Sequence, residues 1–182
     1  MRLVTELAGK KNKIGGQKMR AYSYKMQLDE QRLPFLVRER TYYMVDRRFR
    51  YGNPERIHEL AREIGLDKMA EEYIYCVCTD ALLRVIGLFE VSHGTVGVSI
   101  ASPREIFQKA LMLGAVNVTL IHNHPSGDPT PSGQDISLTK MIKDAGQMIG
   151  ISLLDHVVVG DNCYCSLREE NYVAFDDEKE RG

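Results

Sequence analysis

Apolar and polar positions alternate along this chain in two rhythms, one of helical period and one of strand period. Asn53-Pro54-Glu55 opens the first helical stretch, with Asn53 as N-cap and Pro54 at the first helical position. Ile57, Leu60, Ala61 and Ile64 supply its apolar face, and Gly65 is the stop. Glu72 then opens the run Tyr73-Ile74-Tyr75-Cys76-Val77-Cys78-Thr79, which predicts a buried strand. Asp80-Ala81 turns it into a second strand over residues 82–91, broken by Ser92-His93-Gly94. Ser102-Pro103-Arg104-Glu105 reads as a capping box ahead of a helix face of Ile106, Phe107, Ala110, Leu111 and Leu113, stopped by Gly114. Val116, Val118 and Leu120 make residues 114–121 strand-like. Helical period returns over residues 133–149 through Leu138, Met141, Ile142, Ala145 and Ile149, and Gly150 closes it. Residues 151–159 form a strand, Gly160-Asp161-Asn162 a turn, and residues 163–167 pair back.

The order is helix, two strands, helix, strand, helix, two strands. It predicts an α/β or α+β fold with helices flanking a mixed sheet. Residues 1–21 offer charge and flexibility (Lys10-Lys11-Asn12-Lys13, Gly15-Gly16) and little to bury. Residues 22–50 mix short apolar runs with Arg and yield no assignment. The expected organisation is a basic N-terminal extension over 1–52, a domain over 53–175, and a polar, frayed tail over 176–182.

Composition narrows the class. With 43% hydrophobic and 27% charged residues, the 182-residue chain is expected to be globular. No apolar run approaches the ~20 residues that span a bilayer, and the first residues hold no apolar signal core. Four cysteines in that setting suggest reduced thiols and a cytoplasmic location. The net charge of −1 hides an asymmetry. Residues 1–50 carry 13 Lys+Arg against 5 Asp+Glu, a balance of +8, and residues 51–182 carry 11 against 20, a balance of −9. A basic arm could attract DNA by counterion release, or dock on the chain's own acidic body.

The densest chemistry lies in His122-Asn123-His124-Pro125-Ser126-Gly127-Asp128-Pro129-Thr130-Pro131-Ser132-Gly133-Gln134-Asp135. His122 and His124 are two apart at a strand end, so both imidazoles can share a face. Asp135 follows beyond a loop rich in Pro and Gly. Two His and one carboxylate leave a fourth tetrahedral position for water, the pattern of a catalytic zinc. Ser132 and Asp135 also read as an N-cap with an acidic third residue, and the two readings are compatible. Asn123 points to the opposite face, which argues against a nuclease of the dispersed His-Asn-His type. Cys76/Cys78 and Cys163/Cys165 could in principle form a second metal site of four thiolates, but the spacing is tighter than the usual knuckle and burial is the alternative. Asp155-His156 reads as a partner behind the site or a structural pair, His93 as structural or solvent-facing, and His58 as a helix-surface residue. The stretch Arg40-Thr41-Tyr42-Tyr43-Met44-Val45-Asp46-Arg47-Arg48 could stack on single-stranded nucleic acid or serve as an amphipathic docking segment.

Taken with their spacing, His122, His124, Pro125, Ser132 and Asp135 resemble the JAMM (MPN+) metalloprotease signature. The wider context is similar to the bacterial RadC family: Pro103-Arg104-Glu105, His122 through Asp128, Pro131-Ser132, Asp135 and Leu154-Asp155-His156, over about residues 70–168. The resemblance implies a JAMM-type α/β fold with one zinc per chain held by His122, His124 and Asp135. It implies that Ser132 positions the attacking water or stabilises the oxyanion. It also implies a glutamate general base near the start of the first core strand, which Glu72 fits, with Glu90 as fallback. Longer RadC proteins carry an N-terminal helix-hairpin-helix module, of which residues 1–70 show no clear equivalent. The leading expectation is a zinc-dependent hydrolase of peptide or isopeptide bonds, its protein or peptide substrate unidentified. The others are a DNA-associated accessory protein of repair, recombination or mobile elements, and a non-catalytic interaction module.

Overall fold

A computed structural model describes residues 19–44, 52–94 and 101–175. Its strands are β1 (Met19–Leu28), β2 (Pro34–Met44), β3 (Glu72–Thr79), β4 (Val85–Gly94), β5 (Asn117–Asn123), β6 (Ser152–Val159) and β7 (Tyr164–Ser166). They form one mixed sheet in the order β2-β1-β4-β3-β5-β6-β7. The helices are α1 (Pro54–Ile64), α2 (Pro103–Leu113) and α3 (Gly133–Ile149). Strands β5 and β6 run parallel, joined through α3, and β3 pairs antiparallel with both β4 and β5. This is the α/β class that the order of elements predicts.

Period-two alternation divides the core into two layers. On one face Ile57, Leu60, Ala61 and Ile64 of α1 pack on Val77, Leu88, Ile121 and Val157. On the other, Ile106, Phe107 and Ala110 of α2 and Ile142 of α3 pack on Cys76, Cys78, Phe89 and Leu120. Asn53 caps α1 as expected, its Oδ1 accepting from Glu55 N–H at 2.8 Å. Among the described residues, no helix is long and apolar enough to cross a membrane.

Several boundaries differ from expectation. Most of residues 22–50, which yield no assignment from their pattern, belong to the sheet: β1 and β2 form a hairpin, and β1 lies parallel to β4 with Ser23 beside Leu88. Strands β1 and β2 of the expected extension thus share one sheet with the strands that follow residue 52. A bulge masks the strand period, because the register shifts at Ser23/Tyr24 and breaks the alternation of β2 near Glu39. The expectations for residues 1–18, for residues 45–48 and for the tail from residue 176 lie outside the described residues. Strand β4 starts and ends three residues later than the expected 82–91. Asp80 holds a tight turn by accepting from Leu82 and Arg84 N–H, and Ser92-His93-Gly94 stay paired with β3. Ser102 occupies the N-cap of α2, but its side chain makes no capping bond. Three residues expected in the core are exposed. Leu111 of α2 is exposed, because that helix buries Ile106, Phe107 and Ala110; Met141 and Ile149 of α3 are exposed, because its buried stripe runs through Asp135, Thr139, Ile142 and Gly146. Two of the four in α3 are polar, and both face the end of β5.

Candidate metal centre

His122 lies near the end of β5, and His124 follows just past the strand. Alternation sends both rings to the α3 side of the sheet, where their centroids are 4.8 Å apart. Strand β3 delivers Glu72 to the same place: Ile74 lies opposite His122, so Glu72, two residues earlier, shares that face. Helix α3 delivers Asp135 from above. Its start is fixed by a full capping box: Ser132 N–H and Oγ–H donate to Asp135 Oδ2 at 2.7 and 2.6 Å, and Ser132 Oγ accepts from Asp135 N–H at 3.2 Å.

The four side chains converge. Glu72 Oε1 is 3.4 Å from His124 Nε2 and 4.0 Å from His122 Nε2. Asp135 Oδ1 is 3.3 Å from His122 Nε2, and its Oδ2 is 3.7 Å from His124 Nε2. The ligand atoms of Glu72, His122 and His124 all lie within 4.8 Å of one another, a group that could hold a metal ion. The carboxylates differ in freedom. Asp135 is tied to Ser132, whereas Glu72 pairs with the two histidines alone among the described residues.

Counting protons shows that the donors suit a cation. The Thr139 hydroxyl donates to the Asp135 carbonyl oxygen at 2.6 Å, so its oxygen is left to accept from His156 Nδ1–H at 2.6 Å. His156 Nε2 then carries a lone pair and accepts from His122 Nδ1–H at 2.8 Å. That assigns a lone pair to His122 Nε2. On the other side, His124 Nδ1–H donates to the Asp128 carbonyl at 2.8 Å, leaving a lone pair on His124 Nε2. The two Nε2 atoms face each other at 3.0 Å. Two lone pairs at that distance, flanked by two carboxylates, need a proton or a metal ion between them. Imidazole and carboxylate are both ordinary ligands of zinc.

The electrostatics follow. Complete burial, with His122 adding to it, holds His156 well below the usual imidazole range, so it stays neutral and keeps its accepting lone pair. Burial pushes Asp135 up, but the neighbouring His122 and His124 imidazoles, which attract a proton into the site, and the Ser132 hydroxyl outweigh it and leave the carboxyl below its ordinary value. Asp135 beside His124 raises that imidazole above its ordinary value. In the metal-free protein a proton therefore competes for the site and must leave before a metal enters. Affinity should climb about tenfold per pH unit while pH is below the raised His124 value, then level off. Titrating the metal-free protein with Co2+ from about pH 5.5 to about pH 8 checks this; an affinity flat across that range would contradict it.

Comparison with known proteins agrees with this geometry. The family model of the RadC-like JAB domain matches residues 51–172. The chain belongs to the RadC-like JAB domain family. Similar relatives are UPF0758 proteins: one of Enterococcus faecalis is 44% identical over 106 residues, covering 58% of this chain and 46% of the relative. One of Alkaliphilus metalliredigens is 38% identical over 123 residues, covering 68% and 53%. One of Clostridium botulinum is 39% identical over 137 residues, covering 75% and 59%. The chain thus spans about half the length of the curated relatives it matches. The hairpin β1–β2 lies outside the matched region of this RadC-like JAB domain.

The loop between His124 and α3 is held from below. Gly127 has φ 83, a conformation that favours glycine, and its carbonyl accepts from Asp161 N–H at 2.9 Å. A Cβ at Gly160 would lie 2.3 Å from that same carbonyl oxygen, so the close approach requires glycine there. The contact steadies Asp128, whose carbonyl fixes the His124 tautomer.

Other residues singled out in the sequence fall elsewhere in the RadC-like JAB domain. Glu90 pairs opposite Tyr75, on the α1 side of the sheet, and its Oε1 sits 2.6 Å from His93 Nδ1. It cannot reach the histidines on the other face, which removes it as the fallback base. His93 is exposed and stacks on Tyr73. His58 is half-buried rather than on the helix surface, its ring 5.0 Å from Tyr164. Cys76 and Cys78 are buried in the core, while Cys163 and Cys165 flank and lie in β7. With β5 and β6 between β3 and β7, the pairs are about three strand spacings apart, roughly 14 Å, too far to share one zinc. Asp155 braces β6 against β7, accepting from Ser166 Oγ–H at 2.6 Å and Arg168 N–H at 3.1 Å.

Thr139, which bonds both Asp135 and His156, is a residue of the candidate site that the sequence reading misses. The available signal was its spacing, one helical turn after Asp135 on the same face. His156→Leu should weaken metal binding about 10- to 100-fold, because His122 loses the acceptor that fixes its tautomer. A chelator-competition titration reads this directly. Unchanged affinity in a folded variant would show that the His122–His156 bond does not set the tautomer.

Proposed function

We propose that this RadC-like JAB domain is a zinc-dependent hydrolase of peptide or isopeptide bonds. The observation that carries the reading is the pair of Nε2 atoms facing each other at 3.0 Å, with Glu72 and Asp135 on either side. His122, His124 and Asp135 would hold the ion. When bound, zinc acts as a Lewis acid on a carbonyl and lowers the pKa of a coordinated water to about 7.

The chain's own groups supply the rest. Asp135, held by Ser132, keeps one carboxylate oxygen directed at the histidines. Glu72 is tied to no donor outside the site among the described residues, so its carboxylate is free to take a proton from the attacking water. The water oxygen bonds to the carbonyl carbon, and Glu72 returns that proton to the leaving amine nitrogen as the carbon–nitrogen bond breaks, giving an amine and a carboxylic acid that ionises to solvent. Ser132 donates its hydroxyl proton to Asp135 Oδ2. Its role in this reading is to orient Asp135, and it would have to turn from that oxygen to donate to an oxyanion. The test is cleavage of a peptide and isopeptide library, read by mass spectrometry with and without a chelator. Metal-dependent cleavage supports the reading, and its absence in fully metal-loaded protein counts against hydrolysis.

A second reading is a DNA-associated accessory protein, and the hairpin outside the matched region favours it. Arg20 and Arg38 lie on that hairpin, and the Arg38 guanidinium lies 3.8 Å over the Tyr22 ring. Arg and aromatic side chains on an open strand face suit single-stranded DNA. Binding should weaken steeply with salt and fall on substituting Arg20 and Arg38. Binding insensitive to both would remove this reading.

A further inference from the structure

The residue between the two histidines has a task of its own. The ladder between β3 and β5 runs from Thr79 opposite Asn117 to Ile74 opposite His122 and stops there. Glu72 lies two residues beyond its end, so no backbone of β5 pairs with it. The side chain of Asn123 takes over. Its Oδ1 accepts from Tyr73 N–H at 2.9 Å, and its Nδ2 donates to the Glu71 carbonyl at 2.9 Å and the Met69 carbonyl at 3.3 Å. Asn123 is only 2% exposed, so water does not compete for these bonds.

The placement of the bonds matters. The Glu71 carbonyl belongs to the peptide unit that precedes the Glu72 Cα, and the Tyr73 N–H to the unit that follows it. Pinning both planes fixes the two backbone torsions of Glu72 and hence the direction of its Cα–Cβ bond. That bond aims the carboxylate at His124. The clamp is specific to an amide: it needs an acceptor and two donors on one planar group.

We propose that Asn123 is a positioning residue for Glu72, setting its carboxylate against the metal centre from the opposite side of the strand. The inference rests on the proposed role of Glu72. Three consecutive residues then have separate duties, His122 and His124 toward the ion and Asn123 toward the base.

The test uses Co2+ as the probe in the whole chain and reads the pH midpoint of the visible absorption spectrum. A carboxylate beside an ionising water opposes loss of its proton, so Glu72→Gln should lower the midpoint by about one unit or more. Asn123→Leu, which keeps the volume and removes the amide, should lower it in the same direction and by no more. In the Glu72→Gln background it should shift nothing further. Asn123→Ser serves the same purpose if the leucine variant does not fold. A purely structural role would lower thermal stability while leaving the midpoint at the parent value, or would add fully to Glu72→Gln. Either result overturns the proposal. Folded parent protein that takes up no Co2+ would overturn the proposed function and this inference with it. Parent protein that binds Co2+ with a midpoint moved by Glu72→Gln and not by the Asn123 variants would overturn this inference alone.

Discussion

Glu72→Gln is expected to retain the metal and lose about 10^2- to 10^4-fold in hydrolysis, the usual contribution of a positioned general base. The amide keeps the shape of the side chain and its approach to His124, but it cannot take a proton. Asp135 and both histidines remain, so metal affinity should change little. The separation of the two effects is the informative part. Binding and turnover falling together would make Glu72 a ligand. That outcome has a structural basis, since its Oε1 is nearly as close to His124 Nε2 as Asp135 Oδ1 is to His122 Nε2. The greater freedom of the Glu72 carboxylate and the fixing of Asp135 by Ser132 favour Glu72 as base and Asp135 as ligand. Elemental analysis and a cleavage assay on one preparation decide between them.

Removing a ligand should have the larger effect on the metal itself. His122→Ala deletes a fully buried imidazole that faces the site and donates its Nδ1–H to His156 Nε2. Affinity should fall by more than about 100-fold, the upper end for losing an outer partner alone. Asp135→Ala has two consequences, because the residue also belongs to the capping box of α3. It should lose the metal and cost about 1 kcal/mol of stability through the lost cap. Asp135→Asn separates them, since an amide oxygen still accepts from Ser132 while the negative charge is gone. The asparagine variant should bind metal weakly and melt close to the parent. Chelator competition and thermal unfolding of the three variants check this. An Asp135→Asn variant with parental affinity would show that the carboxylate is not a ligand.

The helices were legible because their ends carry strong local chemistry. Asn53-Pro54 and Gly65 bracket α1, and Ser132 and Gly150 bracket α3. The candidate site was legible because strand alternation alone puts His122 and His124 on one face, and because a helix cap must point its acidic third residue back at its own start. Glu72 was readable as the first residue of the run that pairs with the histidine strand.

What was hidden depends on contacts distant in sequence. The hairpin of β1 and β2 escaped notice because its bulge breaks the alternation and its outer positions are charged. The role of His156 needed β6 to lie beside β5, in register with Leu120. Thr139 and Asn123 are ordinary polar residues until tertiary structure supplies their partners. Exposed Met141 and Ile149 show the converse: helical period locates an apolar stripe, but the polar residues that α3 turns toward the candidate metal centre rotate the true buried face away from it.

The most direct test of the proposed metal centre is bound metal per chain, measured by elemental analysis on protein purified without a metal-affinity step. The expected result is about one zinc per chain, the stoichiometry of a single donor set. Folded protein that carries none and also refuses added zinc would contradict it, because the facing nitrogens of His122 and His124 would then be satisfied by a proton alone.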